Sequence, residues 1–169
     1  MSENNTEKNN VYVEEVSTEK YLTFFIEEEL FAIPSSQVVE IIRMQPITFI
    51  PKLPKFIIGV INLRGKIVPL IDLRLKFKKE FREYDDQTSI IVAEVNEMNV
   101  GLIVDKVNDV ADISSNQISN APKFSKNSAV GFVKKIATLN NNAIMLLDIE
   151  KILNDEDTNQ ELPKQVDNK

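Results

Sequence analysis

The chain of 169 residues has no cysteine, no histidine and no tryptophan, and it has only four glycines. Without cysteine it can form neither a disulfide framework nor a thiolate nucleophile. Without histidine it lacks the commonest general base and any site for a phosphorylated imidazole. The four glycines never cluster, so no glycine-rich loop is present to cradle a phosphate. These absences argue against most catalytic chemistry.

Long apolar runs and an excess of positive charge are also missing. No apolar stretch approaches the ~20 residues of a membrane span, and the N-terminus has no apolar segment typical of a signal peptide. We therefore expect a cytoplasmic protein without direct membrane insertion. The net charge of −6 disfavours a nucleic-acid partner, because binding to nucleic acid depends on neutralising phosphates. No metal-ligand spacing stands out, and no metal or other cofactor is expected.

The sequence does contain an internal repeat. Residues 56–77 align without a gap with residues 132–153, at an offset of 76, and residues 30–42 align with residues 99–111, at an offset of 69. The matched pairs are Phe56 with Phe132, Leu63 with Leu139, Leu70 with Leu146, Asp72 with Asp148, Phe31 with Val100, Val38 with Val107, and Glu40 with Asp109. The change of offset indicates seven extra residues in one connection of the second copy. The repeat predicts two copies of one small unit.

Each copy has short apolar runs that are separated by turns, which is typical of β-strands. Strands are predicted near residues 21–26, 30–34, 38–43, 57–62 and 67–71, and again near 89–95, 99–104, 107–111, 132–138 and 143–147. Asp72 and Asp148 each precede a short helical segment, and aspartate is a favoured N-cap. Five strands and a terminal helical turn, repeated twice, predict an all-β fold of two pseudo-symmetric five-stranded barrels packed together.

The predicted domain boundaries follow from this pattern. Residues 1–20 and 154–169 are polar and cannot bury a core, so they are expected to be disordered tails. Barrel one is expected to span about residues 21–77 and barrel two about 89–153, with the intervening residues as a solvated linker. A unit of roughly 65 residues buries only ~60% of its surface and is marginally stable alone. The two units should therefore share a core and fold together.

Several segments together indicate a known family. The most specific is Gly59–Gly65 (GVINLRG), followed by Ile67–Arg74 (IVPLIDLR). Three further segments support the same family, in the order and spacing that the family has: Val39–Arg43, Gly101–Val107 and Leu146–Ile149. Over about residues 21–153 the chain resembles the CheW family, adaptors of bacterial chemotaxis arrays.

The resemblance has implications for fold, function and partners. It implies SH3-like barrels and a non-catalytic adaptor that couples the cytoplasmic tips of chemoreceptors to the histidine kinase CheA. The kinase would be bound through its regulatory domain, and the adaptor would be recruited to membrane receptor arrays. The sequence departs from the family at Lys135, where the second copy usually has a glycine.

Three alternatives stay open at this point. The chain could be a CheW-like module of a CheV-type adaptor, or a detached kinase regulatory domain. A nucleic-acid binder built on small barrels is opposed by the negative charge. An enzyme is opposed by the missing residue types, and Asp72 and Asp148 are already explained as helix caps. No catalytic residue is therefore assigned.

The third strand, Val38–Ile42, is apolar on both faces. A half-exposed strand should alternate, so this one is either fully buried or presents one face to a partner. The resemblance implies a receptor-binding groove between the barrels, lined by Leu22, Ser35, Val38, Ile41 and Val107. A spacing of three residues does not fit one strand face, so a helical turn starting near Pro34 is also predicted. The kinase-binding residues remain unassigned.

Arg64 precedes Gly65 and has two interpretations. It is either a turn residue that projects into water or the partner of Glu40 in an ion pair at the groove edge, which the resemblance supports. The second copy keeps the acid as Asp109 but has Asn140 in place of the arginine. Only the first copy can therefore form such a pair.

Overall fold

The computed structural model describes residues 16–121 and 129–155, and these form a strand-rich fold. The predicted all-β class is confirmed. The strands are β1 (Thr18–Ile26), β2 (Glu29–Pro34), β3 (Val38–Arg43), β4 (Ile57–Leu63), β5 (Lys66–Asp72), β6 (Ser89–Val95), β7 (Met98–Val104), β8 (Lys106–Ser114), β9 (Ile118–Asn120), β10 (Val133–Leu139) and β11 (Asn142–Leu147). The helices are α1 (Leu73–Lys76) and α2 (Ile149–Asn154), with 3₁₀ turns at Ser35–Gln37, Ser115–Gln117 and Ala129–Phe132.

The strands form two sheets of matching order. One is six-stranded, in the order β8-β1-β2-β11-β10-β9, and the other is five-stranded, in the order β3-β6-β7-β5-β4. The repeat equates β1 to β5 with β6, β7, β8, β10 and β11, respectively. When each strand of the five-stranded sheet is replaced by its equivalent, its order becomes β8-β1-β2-β11-β10. This is the order of the first five strands of the six-stranded sheet. The predicted pseudo-symmetry is therefore present in the strand pairing itself.

The sheets do not divide the chain at the linker, however. The first hairpin, β1–β2, pairs with β8 and β11 of the second copy. The hairpin β6–β7 in turn pairs with β3 and β5 of the first copy. The prediction that each barrel is one contiguous half, residues 21–77 or 89–153, is wrong in this respect. The two copies exchange their first hairpins, and each sheet contains strands from both.

Both offsets appear in the hydrogen-bonding register. Leu70 pairs with Gly101 in one sheet, and Leu146 pairs with Ala32 in the other. Leu70 and Leu146 differ by 76 positions, whereas Ala32 and Gly101 differ by 69. The two parallel pairings are thus the same contact made once in each sheet.

Each sheet curves until its far edges approach one another. In the five-stranded sheet, the segment after β3 returns to β4, where Thr48 exchanges two 2.9 Å backbone hydrogen bonds with Val60. In the six-stranded sheet, β9 follows β8 and pairs with β10. The sequence did not predict β9, because its three residues, Ile-Ser-Asn, carry no recognisable strand pattern. Closure of this kind removes exposed sheet edges.

The largest core cluster joins the two sheets. We call it the shared core. It contains Leu22, Phe24, Ile26, Phe31, Ile33, Ile71, Leu73, Phe77, Ile91, Ala93, Val95, Val100, Leu102, Val104, Leu147, Ile149, Ile152 and Leu153. Each sheet also has a smaller cluster of its own. The predicted shared core is present, and it is the larger part of the buried apolar side chains.

The predicted helix caps are also present. The Asp72 side chain accepts hydrogen bonds from the backbone N–H groups of Arg74 and Leu75, and the Asp148 side chain accepts one from Lys151. The chain ends predicted to be disordered lie largely outside the described residues. Within the described range, β1 already begins at Thr18, three residues before the predicted start of the ordered body.

Candidate partner-binding groove

The first element of the groove is the 3₁₀ turn Ser35–Gln37, which follows Pro34. The sequence predicted a helical turn here, and the structure confirms it. The turn lies close to β1 of the six-stranded sheet and to β6 of the five-stranded sheet. Ser35, which is half-buried, is therefore placed at the junction of the two sheets.

Val38 and Val107 are equivalent residues on the strands that flank this junction. Val38 on β3 pairs with Ala93, and Val107 on β8 pairs with Phe24. Both valines are partly buried and pack against the shared core. The structure thus brings the two predicted groove residues to one cluster, from opposite sheets.

The structure of strand β3 explains why its sequence is apolar on both faces. Its register shifts between Val38 and Glu40, so Val39 is an extra residue in a β-bulge. Ile42 faces inward onto the cluster of the five-stranded sheet. Val39 and Ile41 are 47% and 44% exposed, so β3 turns an apolar face to solvent. Ile41 was predicted for the groove, whereas Val39 was not, because the bulge that exposes it has no signature in the sequence.

Leu22 does not line an open surface. It is 3% exposed and belongs to the shared core, so the prediction that it contacts a partner directly is not supported by its position. It supports the groove from beneath. Its cross-strand neighbour is Val110 of β8, whose side chain is 56% exposed. Paired residues lie on the same face of a sheet, so on the outer strand β8 this face is open to solvent at Val110, whereas on β1 it is covered at Leu22.

The Glu40–Arg64 ion pair is present and bidentate. Arg64 Nη1 and Nη2 donate to Glu40 Oε1 and Oε2, each at 2.8 Å. The hydrogen bonds that Arg64 donates to Glu40 are the main cause that raises the pKa of Arg64 above its ordinary value. Arg64 also occupies the β4–β5 turn with φ 53°, so both interpretations of this residue hold. Because β3 and β4 are the two outer strands of their sheet, the pair joins the sheet's edges.

The equivalent acidic residue in the second copy makes a different contact. Asp109, the equivalent of Glu40, accepts a 2.7 Å hydrogen bond from the hydroxyl of buried Thr23. The charge of Asp109 is thus tied to β1 rather than to the turn at Asn140. The two walls of the groove therefore differ in charge arrangement despite their common fold.

Lys135 and Gly59 occupy equivalent bulges in β10 and β4. A Cβ atom on Gly59 would lie 2.3 Å from the carbonyl oxygen of Thr48, so glycine is required where that connection crosses the strand. Lys135 is exposed. The departure from the family pattern is therefore accommodated by an outward-pointing side chain.

Within the residues that the structure describes, no helix is long and apolar enough to cross a membrane. In the same part of the chain, no group of three or more acidic side chains is placed to hold a metal ion. The candidate groove is therefore an apolar surface between two sheets, with the Glu40–Arg64 ion pair at one edge.

Comparisons with known proteins agree with this picture. Residues 20–157 match the family model described as "CheW-like domain". The chain is 38% identical over 139 residues to "Chemotaxis protein CheW" of Klebsiella aerogenes, covering 82% of this chain and 84% of the relative. It is 32% identical over 148 residues to "Chemotaxis protein CheW" of Bacillus subtilis, covering 88% and 95%. Among solved structures, the scaffolding protein TtCheW from Thermoanaerobacter tengcongensis matches with a TM-score of 0.78 and 33% identity, covering 86% of this chain and 98% of the other.

Proposed function

The chain belongs to the family of CheW-like domains, and from that premise we propose that it couples the cytoplasmic tips of chemoreceptors to the histidine kinase CheA. As a CheW homologue it is a chemotaxis scaffold protein. The coupling would be non-catalytic, and recruitment to membrane receptor arrays would follow from receptor binding.

The observation that carries the proposal is the junction between the two sheets. Val38 and Val107 pack against the shared core there from opposite sheets, and the turn that holds Ser35 lies close to both sheets. Ile41 on the bulged edge strand is 44% exposed. Exposed apolar side chains gathered at one place indicate a surface that binds another protein. The helical tip of a receptor has a suitable shape, because an amphipathic helix can lay its apolar face in such a groove. We place receptor binding here.

Kinase binding would use another part of the surface. The regulatory domain of CheA is itself CheW-like, so two related barrels would meet. An adaptor must hold both partners at once, so the two surfaces cannot coincide. Affinity at each would come from a few apolar anchors.

The test is Ile41→Glu. A charge placed in an apolar contact must be desolvated without a partner, which is costly. We expect the variant to fold normally, because Ile41 is largely outside the core, and to lose receptor binding at least about tenfold, or roughly 1.4 kcal/mol. It should still bind the isolated regulatory domain of CheA. Activation of the kinase in a mixture with receptor should be lost.

Phe81→Glu is the matched control, because Phe81 is 56% exposed but lies in the linker. It should retain both partners. Val38→Glu and Val107→Glu test the two sides of the junction, with thermal unfolding measured alongside because both side chains are partly buried. If Ile41→Glu stays folded and loses the kinase together with the receptor, one surface serves both partners and the bridging proposal fails.

A further inference from the structure

The six-stranded sheet carries a cleft of about 460 Å³, where β1, β10 and the N-terminus of α2 meet. Its walls include Glu19, Tyr21, Lys134, Lys135, Leu146 and Asp148. This volume lies within the range of pockets that bind drug-sized ligands. The cleft is separate from the Glu40–Arg64 ion pair and from Ile41.

The equivalent place in the five-stranded sheet is filled. The offset of 76 converts Leu146 and Asp148 of the cleft into Leu70 and Asp72. Tyr84 packs against the cluster that contains Leu70, and its hydroxyl donates a 2.8 Å hydrogen bond to Asp72 Oδ2. A tyrosine from the segment that leads into β6 therefore occupies the place that is open in the other sheet.

The two helix-capping aspartates, Asp72 and Asp148, also differ in how many of their carboxylate oxygens accept a hydrogen bond. Asp72 uses one carboxylate oxygen for the N–H groups of α1 and the other for Tyr84. Asp148 accepts a 3.1 Å hydrogen bond from Lys151 N through Oδ1. No donor among the residues that the structure describes lies on its second oxygen, Oδ2. The cleft thus has an acceptor where its equivalent has a bound phenol.

The segment that leads into β1 contains a similar run of residue types, three positions out of register with the repeat. Before β6 the chain reads Tyr-Asp-Asp at residues 84–86, and before β1 it reads Tyr-Val-Glu-Glu at residues 12–15. Tyr12 lies six residues before Thr18, the first residue of β1, and the next residue of β1, Glu19, lines the cleft. A chain of six residues spans up to ~20 Å at ~3.3–3.6 Å per residue. Lys134 and Lys135 are both exposed at the cleft and would face the two acidic residues, although Glu19 and Glu150 also line the cleft.

We propose that the cleft is the docking site of residues 11–15 of the same chain. The Tyr12 hydroxyl donates to the Asp148 carboxylate, as Tyr84 does to Asp72. The carboxylates of Glu14 and Glu15 lie beside the ammonium groups of Lys134 and Lys135. The six-stranded sheet is thereby completed in the way that the five-stranded sheet is completed by its linker.

Titration of tyrosine absorbance tests the proposal on the full-length chain. The chain has no tryptophan to obscure the tyrosinate signal, and its tyrosines are Tyr12, Tyr21 and Tyr84. Burial raises the pKa of Tyr21 to about 12, and burial beside Asp72 raises that of Tyr84 as well. Subtracting the titration of Tyr12→Phe isolates Tyr12. We expect its midpoint at least about one pH unit above the free value of ~10, because a neighbouring carboxylate disfavours the phenolate.

A midpoint near ~10 for Tyr12 overturns the proposal. Asp148→Asn is the matched variant, because asparagine caps a helix as well as aspartate but carries no charge; it should return the midpoint towards ~10. The measurement is repeated over a hundredfold range of protein concentration. A raised midpoint that falls on dilution shows docking on a second copy and overturns docking within one chain.

Deletion variants give an independent readout. Removing residues 1–15 should lower the melting temperature by about 2–4 °C, which corresponds to a loss of ~1 kcal/mol in a chain of this size. Removing only residues 1–10 keeps Tyr12, Glu14 and Glu15 and should leave the melting temperature unchanged. Equal melting temperatures for the two deletions contradict the proposal.

Discussion

Asp72 shows how one side chain can hold several parts of the fold. It is 2% exposed, caps α1 and accepts the hydroxyl of Tyr84 from the linker. Burial raises the pKa of its carboxyl group, and the hydrogen bond from Tyr84 opposes that rise. Because Asp72 ends β5 and Tyr84 leads towards β6, this contact ties the linker to the five-stranded sheet.

Tyr84→Phe should lower the free energy of unfolding by about 1–3 kcal/mol at neutral pH, because it leaves a buried acceptor unsatisfied. The hydrogen bond favours the ionised carboxylate, so its removal raises the folded pKa of Asp72 further above the unfolded value of ~3.9. A raised folded pKa gives stability that is complete below the unfolded pKa and lost as pH rises through the folded one. The cost should therefore grow from about pH 4 towards neutrality. Urea unfolding at several pH values measures it, and a cost independent of pH would contradict this assignment.

The Glu40–Arg64 pair allows a charge-exchange test. Arg64 is largely exposed, so the pair adds little to stability in water. We expect Glu40→Arg and Arg64→Glu each to reduce receptor-dependent kinase activation while the melting temperature stays nearly constant. The double variant restores the pair in reverse and should recover most of that activation. Failure to recover would mean that one of the charges touches a partner directly.

At the scale of elements, the sequence predicted ten of the strands in the described ranges to within a few residues. Periodicity and turns were sufficient because Val, Ile and Phe dominate these runs. It did not predict β9, which has a single apolar residue, nor the bulge at Val39, which depends on pairing with β6. Leu22 was placed at the groove by resemblance, but β1 buries it in the shared core. Position in a family pattern does not fix which face of a strand is covered.

The bulge at Gly59 gives a prediction at this scale. A Cβ atom there would lie 2.3 Å from Thr48 O and 2.9 Å from the Ile47 side chain. Gly59→Ala should therefore push the connection away from β4 and lower stability by about 1–3 kcal/mol, the usual cost of overpacking.

Gly131→Ala is the control for Gly59→Ala, because no atom of the residues that the structure describes lies within 4 Å of the added atom. Thermal unfolding of the two variants makes the comparison. Equal melting temperatures would mean that the crossing at Thr48 is not tightly packed.

At the scale of the whole molecule, the repeat established that the two halves are equivalent but not how they are joined. An offset identifies matching residues, and it is the same whether β1–β2 pairs within its own half or with the other half. The choice depends on contacts between residues about 85 positions apart, such as Phe24 with Val107. No local pattern in the sequence reports on those contacts.

The exchange of hairpins predicts the behaviour of fragments. Residues 1–86 and 87–169 each lack strands that complete their sheets, so neither should unfold cooperatively alone. Mixed in equal amounts they should recover the circular dichroism of the intact chain and elute together in size-exclusion chromatography. The intact chain is the reference. A fragment that unfolds cooperatively by itself would show that its sheet does not need the exchanged hairpin.

The same connectivity sets an order of events while the chain is being made. The five-stranded sheet consists of β3 to β7, so its last strand is complete at Val104. The hairpin β1–β2 is synthesised first, yet its partners β8 and β11 come last, the final one ending at Leu147. Domains generally form as their segments emerge from the ribosome, and unpaired strands that wait are prone to aggregation. The first residues to leave the ribosome, with Phe24 and Phe31 among them, are therefore the last to be covered.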